Sequence, residues 1–217
     1  MNLLAIDTAL EACSVGVAAG GRPPVTFSEL IGRGHAERLF PMVAAAMSEA
    51  GLAFADLDRI AVTVGPGSFT GLRVGIAAAR GFALAAGRPA VGIGTLAVIA
   101  ATARRLAGDV PVLALLDARR GEAYGQAFAA DGSPLSPPEA APPGHFAALL
   151  RPAMVLCGSG AALLQSDAPV AHRLAVPDIA DLLALGRAAA AQSAPPRPLY
   201  LRPPDAKPQA HAAVARQ

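Results

Sequence analysis

The sequence predicts an α/β protein built from two similar halves, and three observations carry that prediction. Strand-like apolar runs alternate with Ala-rich helical stretches along most of the chain. An aspartate closes the first apolar run of each half, Asp7 after residues 3–6 and Asp117 after residues 112–116. A glycine turn follows each aspartate by roughly 15 residues, Gly20-Gly21 and then Asp131-Gly132, a recurrence that marks duplication.

Residues 3–6, 13–18 and 25–30 read as a three-stranded meander. Residues 36–50 follow as a helix whose Leu39, Phe40, Met42, Val43, Ala46, Met47 and Ala50 cover an arc of about 160°, wider than a one-sided surface helix needs. Part of that arc is expected to face the sheet and part a partner. A strand at 60–64, a helix at 68–86, a strand at 90–93 and a helix at 96–106 complete the first half. In the second half, strands at 112–116 and 122–129 precede residues 134–144, whose prolines predict a surface connection. A strand at 154–157 enters Gly158-Ser159-Gly160, followed by a helix at 161–165, a strand at 172–176 and a helix at 179–191. The expected division is 1–108 and 109–217, with a mobile tail from about 202, where Pro203, Pro204 and Pro208 cluster.

Composition excludes several classes. The 217 residues suffice for a real core. The net charge is +2 and the arginines are scattered, which does not indicate a chain that grips nucleic acid by itself. Lys207 is the only lysine among 18 basic residues, and aromatics make up 4%; coding bias accounts for both. Cys13 and Cys157 lie in apolar settings without a Cys-x-x-Cys pattern, and are expected to be buried free thiols in a reducing compartment. The N-terminus lacks a basic segment and carries Asp7 in its apolar run, unlike a signal peptide. The longest charge-free stretches, such as 89–103, run 15 residues and contain breakers, so no membrane span is expected.

The block Gly65-Pro66-Gly67-Ser68-Phe69-Thr70-Gly71-Leu72-Arg73-Val74-Gly75 reads as a strand-to-helix turn. Gly65 and Gly67 shape it, and Ser68 or Thr70 caps the helix. It lacks the Lys-Ser/Thr ending of a phosphate loop. Behind it Gly71, Gly75, Ala79, Ala83 and Gly87 recur every fourth residue, a track of small side chains suited to close approach of a neighbour inside the chain or of a partner's helix.

Tests for catalysis find little. No two histidines stand one helical turn apart; His35 is followed at that spacing by Leu39, and His145, His172 and His211 stand alone. No metal site is expected. Ser68 is not in a Gly-x-Ser-x-Gly elbow. After Asp7 the turn has no glycine to open amides toward a phosphate, and Glu11 adds negative charge. Asp7 and Asp117 stand either as a carboxylate pair or as aspartates that satisfy turn amides. A third reading uses Arg33, Arg38, Arg104 and Arg105 to bind RNA.

Two aspartates closing the first strands of duplicated halves resemble the actin, sugar-kinase and Hsp70 (ASKHA) superfamily, whose halves are ribonuclease H-like. The eleven-residue block narrows this, together with Leu4-Ala-Ile-Asp-Thr8, His35-Ala-Glu37, Asp117-Ala-Arg-Arg-Gly-Glu-Ala-Tyr124 and Pro198-Leu-Tyr-Leu-Arg202. The chain resembles the bacterial TsaB (YeaZ) family across nearly its whole length.

That resemblance implies a non-catalytic, cytoplasmic subunit for making threonylcarbamoyladenosine beside the tRNA anticodon. It implies pairing with and activation of a TsaD-like paralogue that holds the metal. It further implies a TsaE-like ATPase, tRNA contact only through the complex, and no cofactor of the chain's own, with ATP or ADP bound at most by the complex; because exposed apolar helices seek cover, a homodimer through the same surface is expected when the chain is alone. The implied pairing surface is the first two helices: Leu39, Met42, Val43, Ala46 and Met47 on one, Gly71, Arg73, Val74, Gly75, Ala78, Ala79 and Phe82 on the other. A vestigial nucleotide cleft would involve Asp7, Thr8, Asp117, Arg119, Gly158 and Gly160. The competing class is an enzyme, either an ATP hydrolase using Asp7 and Asp117 or a metallopeptidase.

Overall fold

Two five-stranded sheets share one strand order. In the computed structural model, which describes residues 1–172, 176–190 and 194–202, the first sheet comprises β1 (Leu3–Asp7), β2 (Ala12–Ala18), β3 (Val25–Leu30), β4 (Arg59–Gly65) and β5 (Ala90–Gly94), ordered β3-β2-β1-β4-β5. The meander is antiparallel and β1-β4-β5 is parallel. The second sheet comprises β6 (Val112–Arg119), β7 (Glu122–Phe128), β8 (Glu139–Ala141), β9 (Val155–Cys157) and β10 (Val170–His172), ordered β10-β9-β6-β7-β8 with corresponding directions. This is the ribonuclease H-like order twice over, so the duplication is visible in topology. β8 falls within the expected surface connection, because Ala141 and Ala140 complete the second meander by pairing with Ala123 and Tyr124.

The helices are α1 (His35–Ala50), α2 (Phe69–Ala86), α3 (Thr95–Ala107) and α4 (Ile179–Ala188). The helix expected at 161–165 is instead a short 3-10 turn, Ser159–Leu163. The expected strand at 172–176 is β10, shifted towards the N-terminus; residues 173–175 lie outside the described residues, as do Ala191 and the tail beyond 202. α1 and α2 cover one face of the first sheet, where Leu39, Met42, Val43, Ala46 and Met47 join Leu4, Ile6, Val15 and Val62 in one core. α2 is long and apolar enough to cross a bilayer, and its Leu72, Ile76, Ala79 and Ala83 lie in that same core.

The opposite face of the first sheet is covered from the second half. Ile179, Leu182 and Leu183 of α4 pack with Leu3, Ala5, Ala61 and Val91. α3, at the end of the first half, packs Leu96, Ile99, Ala100 and Ala103 against Val112, Ala114 and Leu116 of the second sheet. The halves thus exchange helices, each burying apolar surface the other cannot cover alone. Asp181 of α4, only 7% exposed, joins the exchanged pair: it accepts from Thr102 Oγ1 at 2.7 Å and Arg105 Nε at 3.1 Å. Arg59 Nη1 donates to the carbonyls of Gly186 and Ala189 at the end of α4.

Candidate functional site

The eleven-residue block is shaped around the end of β1. Ser68 is the N-cap of α2, its Oγ accepting from Gly71 N at 3.2 Å, while Thr70 sits inside the helix. Ser68 N donates to Ala9 O at 2.7 Å, and Thr8 Oγ1 donates to Gly71 O at 2.7 Å. A Cβ at Gly67 would collide with Ala9 O, at Gly71 with Thr8 O, and at Gly75 with Thr8 Oγ1. Gly65 has φ +115° and lies against Leu199 O, 2.7 Å from where a Cβ would stand. The glycines let α2 and its entry turn close on Thr8 and Ala9 after β1, and let residue 199 close on the end of β4.

The small-residue track is therefore spent inside the chain from Gly71 to Ala83, while Gly87 at its end is exposed. Gly71, Gly75, Ala78, Ala79 and Ala83 are buried, and so are Leu39, Met42, Val43, Ala46 and Met47. The family resemblance assigns all of these but Ala83 to a partner surface; in the monomer they are buried, because α1 and α2 lay their most apolar stripes on the sheet. What faces outward lies round the helices: Phe40, 56% exposed, Arg73, and the half-buried Val74 and Phe82. Phe40 and Phe82 meet edge-on at 5.5 Å across the two helices, and Phe54 stacks on Phe82 at 5.0 Å. Sequence reasoning misses Phe54 and takes Phe40 only as part of an apolar arc; an aromatic at the very edge of that arc is the signal that could have found the cluster.

The residues expected at a nucleotide cleft separate into two environments. Asp7 is fully buried. Its Oδ1 accepts from Thr63 Oγ1 at 2.5 Å and Ala9 N at 3.1 Å, while Oδ2 has no partner among the described residues. Burial pushes its pKa up to about 6, against the opposing pull of the Thr63 and Ala9 hydrogen bonds and His35. His35, also buried, has its Nε2 3.0 Å from Leu10 O. Cys13 is a buried free thiol raised to about 11 by burial, and Cys157 is raised further by the same cause.

Asp117 instead lines a cleft of about 380 Å³ between the halves, with Leu10, Glu11, Ser68, Arg119, Tyr124 and Ser159. Its Oδ1 accepts from Arg119 N at 2.7 Å, repeating the bond from Asp7 to the amide two residues on. Both aspartates thus satisfy turn amides. Arg119 bridges the halves, 3.8 Å from Glu11 and 3.7 Å from Asp117. Gly158 and Gly160 stand against the backbone of Leu115 and Leu116.

This lining does not fit the phosphates of a nucleotide. Asp117 N donates to Ser159 Oγ at 3.1 Å, and Ala9 N and Arg119 N are held by the aspartates. Glu11 and Asp117 add two carboxylates against Arg119. Among the described residues no three His, Cys, Asp or Glu side chains are grouped to hold a metal. Of the arginines considered for RNA, Arg38 pairs with Glu29, Arg104 with Asp109, and Arg105 with Asp178 and Asp181.

A strap closes the back of the site. Leu199 N donates to Val64 O at 2.7 Å, and Tyr200 packs on Phe69 at 5.0 Å and accepts from Arg73 Nε at 3.1 Å. Arg202 donates to Ala118 O at 2.7 Å and pairs with Glu122 at 3.2 Å. The motif at 198–202 thus ties the first turn of α2 to the second sheet.

Comparison with known proteins agrees with this architecture. Residues 25–155 match the family model described as TsaD, tRNA N6-adenosine threonylcarbamoyltransferase. The chain is 46% identical over 124 residues to the tRNA threonylcarbamoyladenosine biosynthesis protein TsaB of Escherichia coli, a match covering 57% of this chain and 53% of that protein. It therefore spans about half the length of that relative. An uncharacterized protein of Mycobacterium bovis is 38% identical over 216 residues, covering 96% of this chain and 95% of its own. The solved structure of YeaZ from Pseudomonas aeruginosa superposes with a TM-score of 0.81 at 34% identity, over 92% of this chain and 99% of that one. With that fold shared nearly end to end and its marker block built around β1, the chain belongs to the TsaB (YeaZ) family.

Proposed function

We propose that this chain is a non-catalytic subunit in tRNA threonylcarbamoyladenosine biosynthesis, which pairs through the outer face of α1 and α2 with a TsaD-like transferase and activates it. The observation that carries the reading is the aromatic cluster of Phe40, Phe82 and Phe54, placed across two helices with Phe40 more than half exposed. A contiguous apolar patch of this kind is covered by a partner in working proteins. The names of the TsaB relatives support the pathway, and the match to the TsaD family model supports kinship with the proposed partner.

In this reading the metal and the transfer chemistry belong to the TsaD-like partner, a TsaE-like ATPase joins the complex, and tRNA meets the chain only within it. The setting is the cytoplasm. Without its partner the chain covers the same face by pairing with a second copy. The cleft favours a non-catalytic role, since Asp7 is sealed and Asp117 is engaged with Arg119.

The test is co-expression with the TsaD-like protein of the same organism, followed by light scattering and a tRNA modification assay. A stable heteromer that modifies tRNA, when neither protein does so alone, is the expected result. Chains that stay separate overturn the pairing. ATP turnover by the isolated chain that is abolished by Asp117→Asn overturns the non-catalytic assignment.

A further inference from the structure

A groove of about 530 Å³ runs between the last turns of α2 and the chain at Ala194 and Pro195. On the helix, Arg80 and Leu84 lie roughly opposite Phe82, so this flank is distinct from the one that meets Phe40 of α1. Ala83, Pro89 and Ala90 give the groove an apolar lining, and Leu84 stands in it 86% exposed. Arg80 and Arg88 also line it. Neither guanidinium has a hydrogen bond or ion pair with another described residue.

The sequence explains why these charges find no carboxylate among the described residues. No Asp or Glu occurs between Asp58 and Asp109, nor between Asp181 and Asp205, and the groove is built wholly from those two stretches. Arg104, Arg105 and Arg202 leave the same stretches to reach carboxylates elsewhere. Arg80 and Arg88 reach none among the described residues. Leu84 lies midway between them in the sequence, so the two positive charges bracket an exposed apolar side chain.

We propose that this groove docks an acidic, leucine-bearing segment of a partner protein. Two carboxylates of that segment pair with Arg80 and Arg88, and an apolar side chain between them covers Leu84. A protein segment fits better than RNA because no aromatic ring lines the groove to stack a base. The proposal does not depend on the pairing across α1 and α2.

The test uses a fluorescein-labelled synthetic peptide of alternating glutamate and leucine pairs, the same peptide with glutamine for glutamate, and a uridine oligonucleotide. Each is titrated against the full chain by anisotropy. The acidic peptide is expected to bind and the glutamine peptide to fail. Binding should weaken at least about tenfold in Arg80→Gln/Arg88→Gln and again from low to high salt. Leu84→Ser should weaken it several-fold. All three positions are exposed, so the variants are expected to keep the melting curve and circular dichroism of the parent. Failure of the acidic peptide to bind overturns the proposal, as does equal binding of both peptides, full binding by the folded double arginine variant, or stronger binding of the oligonucleotide.

Discussion

Gly75 of α2 lies flush against Thr8, the residue that follows β1. A Cβ on Gly75 would meet Thr8 Oγ1, the hydroxyl whose proton is given to Gly71 O at 2.7 Å. Contact and hydrogen bond occupy the same few ångströms. Gly75→Ala must therefore displace Thr8 or break its bond, and is expected to destabilise the fold by about 2–3 kcal/mol. Gly75→Leu should yield little folded protein. Gly81 sits on the same helix, but a Cβ placed there would have nothing within 4 Å, so Gly81→Ala should stabilise by about 0.5–1 kcal/mol. Urea titrations of the two alanine variants measure both effects.

Asp7 sets a pH dependence of opposite sign to that of a salt-bridged carboxylate. Its folded pKa is raised from 3.8 to about 6 by burial. Between those values the folded chain holds a proton that the unfolded chain releases. The stabilising effect of that proton is fully present below about pH 4 and is lost as pH rises through about 6. The loss amounts to roughly 3 kcal/mol. Asp7→Asn keeps the shape without a charge, so its stability should lack this fall, and the difference from the parent chain should grow from about pH 4 to about pH 7. Denaturation curves across that range decide it; parallel curves for the two proteins would show that Asp7 is not the cause.

The helix exchange makes a third prediction. Asp181 receives Thr102 from α3 and Arg105 from the same helix, in a setting only 7% exposed. Asp181→Ala removes both bonds but leaves Thr102 Oγ1 the carbonyl of Val98 and Arg105 the carboxylate of Asp178, so it should cost about 1–2 kcal/mol. Because α4 covers the first sheet and α3 the second, neither half has a closed core without the other. Unfolding should therefore remain a single transition in the variant, with circular dichroism and hydrogen exchange moving together.

Much of this fold is legible in the sequence because it rests on local patterns. The meander of β1 to β3 is read from alternation and a glycine turn, and Asp7 and Asp117 mark equivalent strand ends whose bonds to Ala9 N and Arg119 N repeat. The short second-half elements are harder. β8 has three residues, Glu139–Ala141, and exists only through pairing with β7, which no local propensity declares. The small-residue track is legible as a close contact but not as to its neighbour. Gly71 and Gly75 meet Thr8, more than sixty residues earlier in the chain, and periodicity along a helix carries no information about what lies across from it. The same blindness hides the exposed side of α1, where Phe40 stands apart from the buried stripe of Leu39, Met42, Val43, Ala46 and Met47.

That exposed side supplies the most direct check on the proposed pairing. Phe40 is 56% exposed, and its ring meets Phe82 at 5.5 Å. Replacing it by glutamate puts a charge on the most exposed ring of the apolar patch while leaving the sheet-facing stripe untouched. Phe40→Glu should therefore melt near the parent chain, yet bind the TsaD-like protein at least about tenfold more weakly, since aromatic anchors carry a disproportionate share of interface energy. A substitution at Val43 would confuse folding with binding, because that side chain lies inside the core. Arg38→Gln provides the contrast on the same helix: Arg38 is engaged with Glu29 on the monomer surface, so its loss should leave pairing within about twofold of the parent. Calorimetric titration of the two variants separates the outcomes. Weak binding by Phe40→Glu alone places the partner on the aromatic cluster; equal binding by both places it elsewhere on the chain.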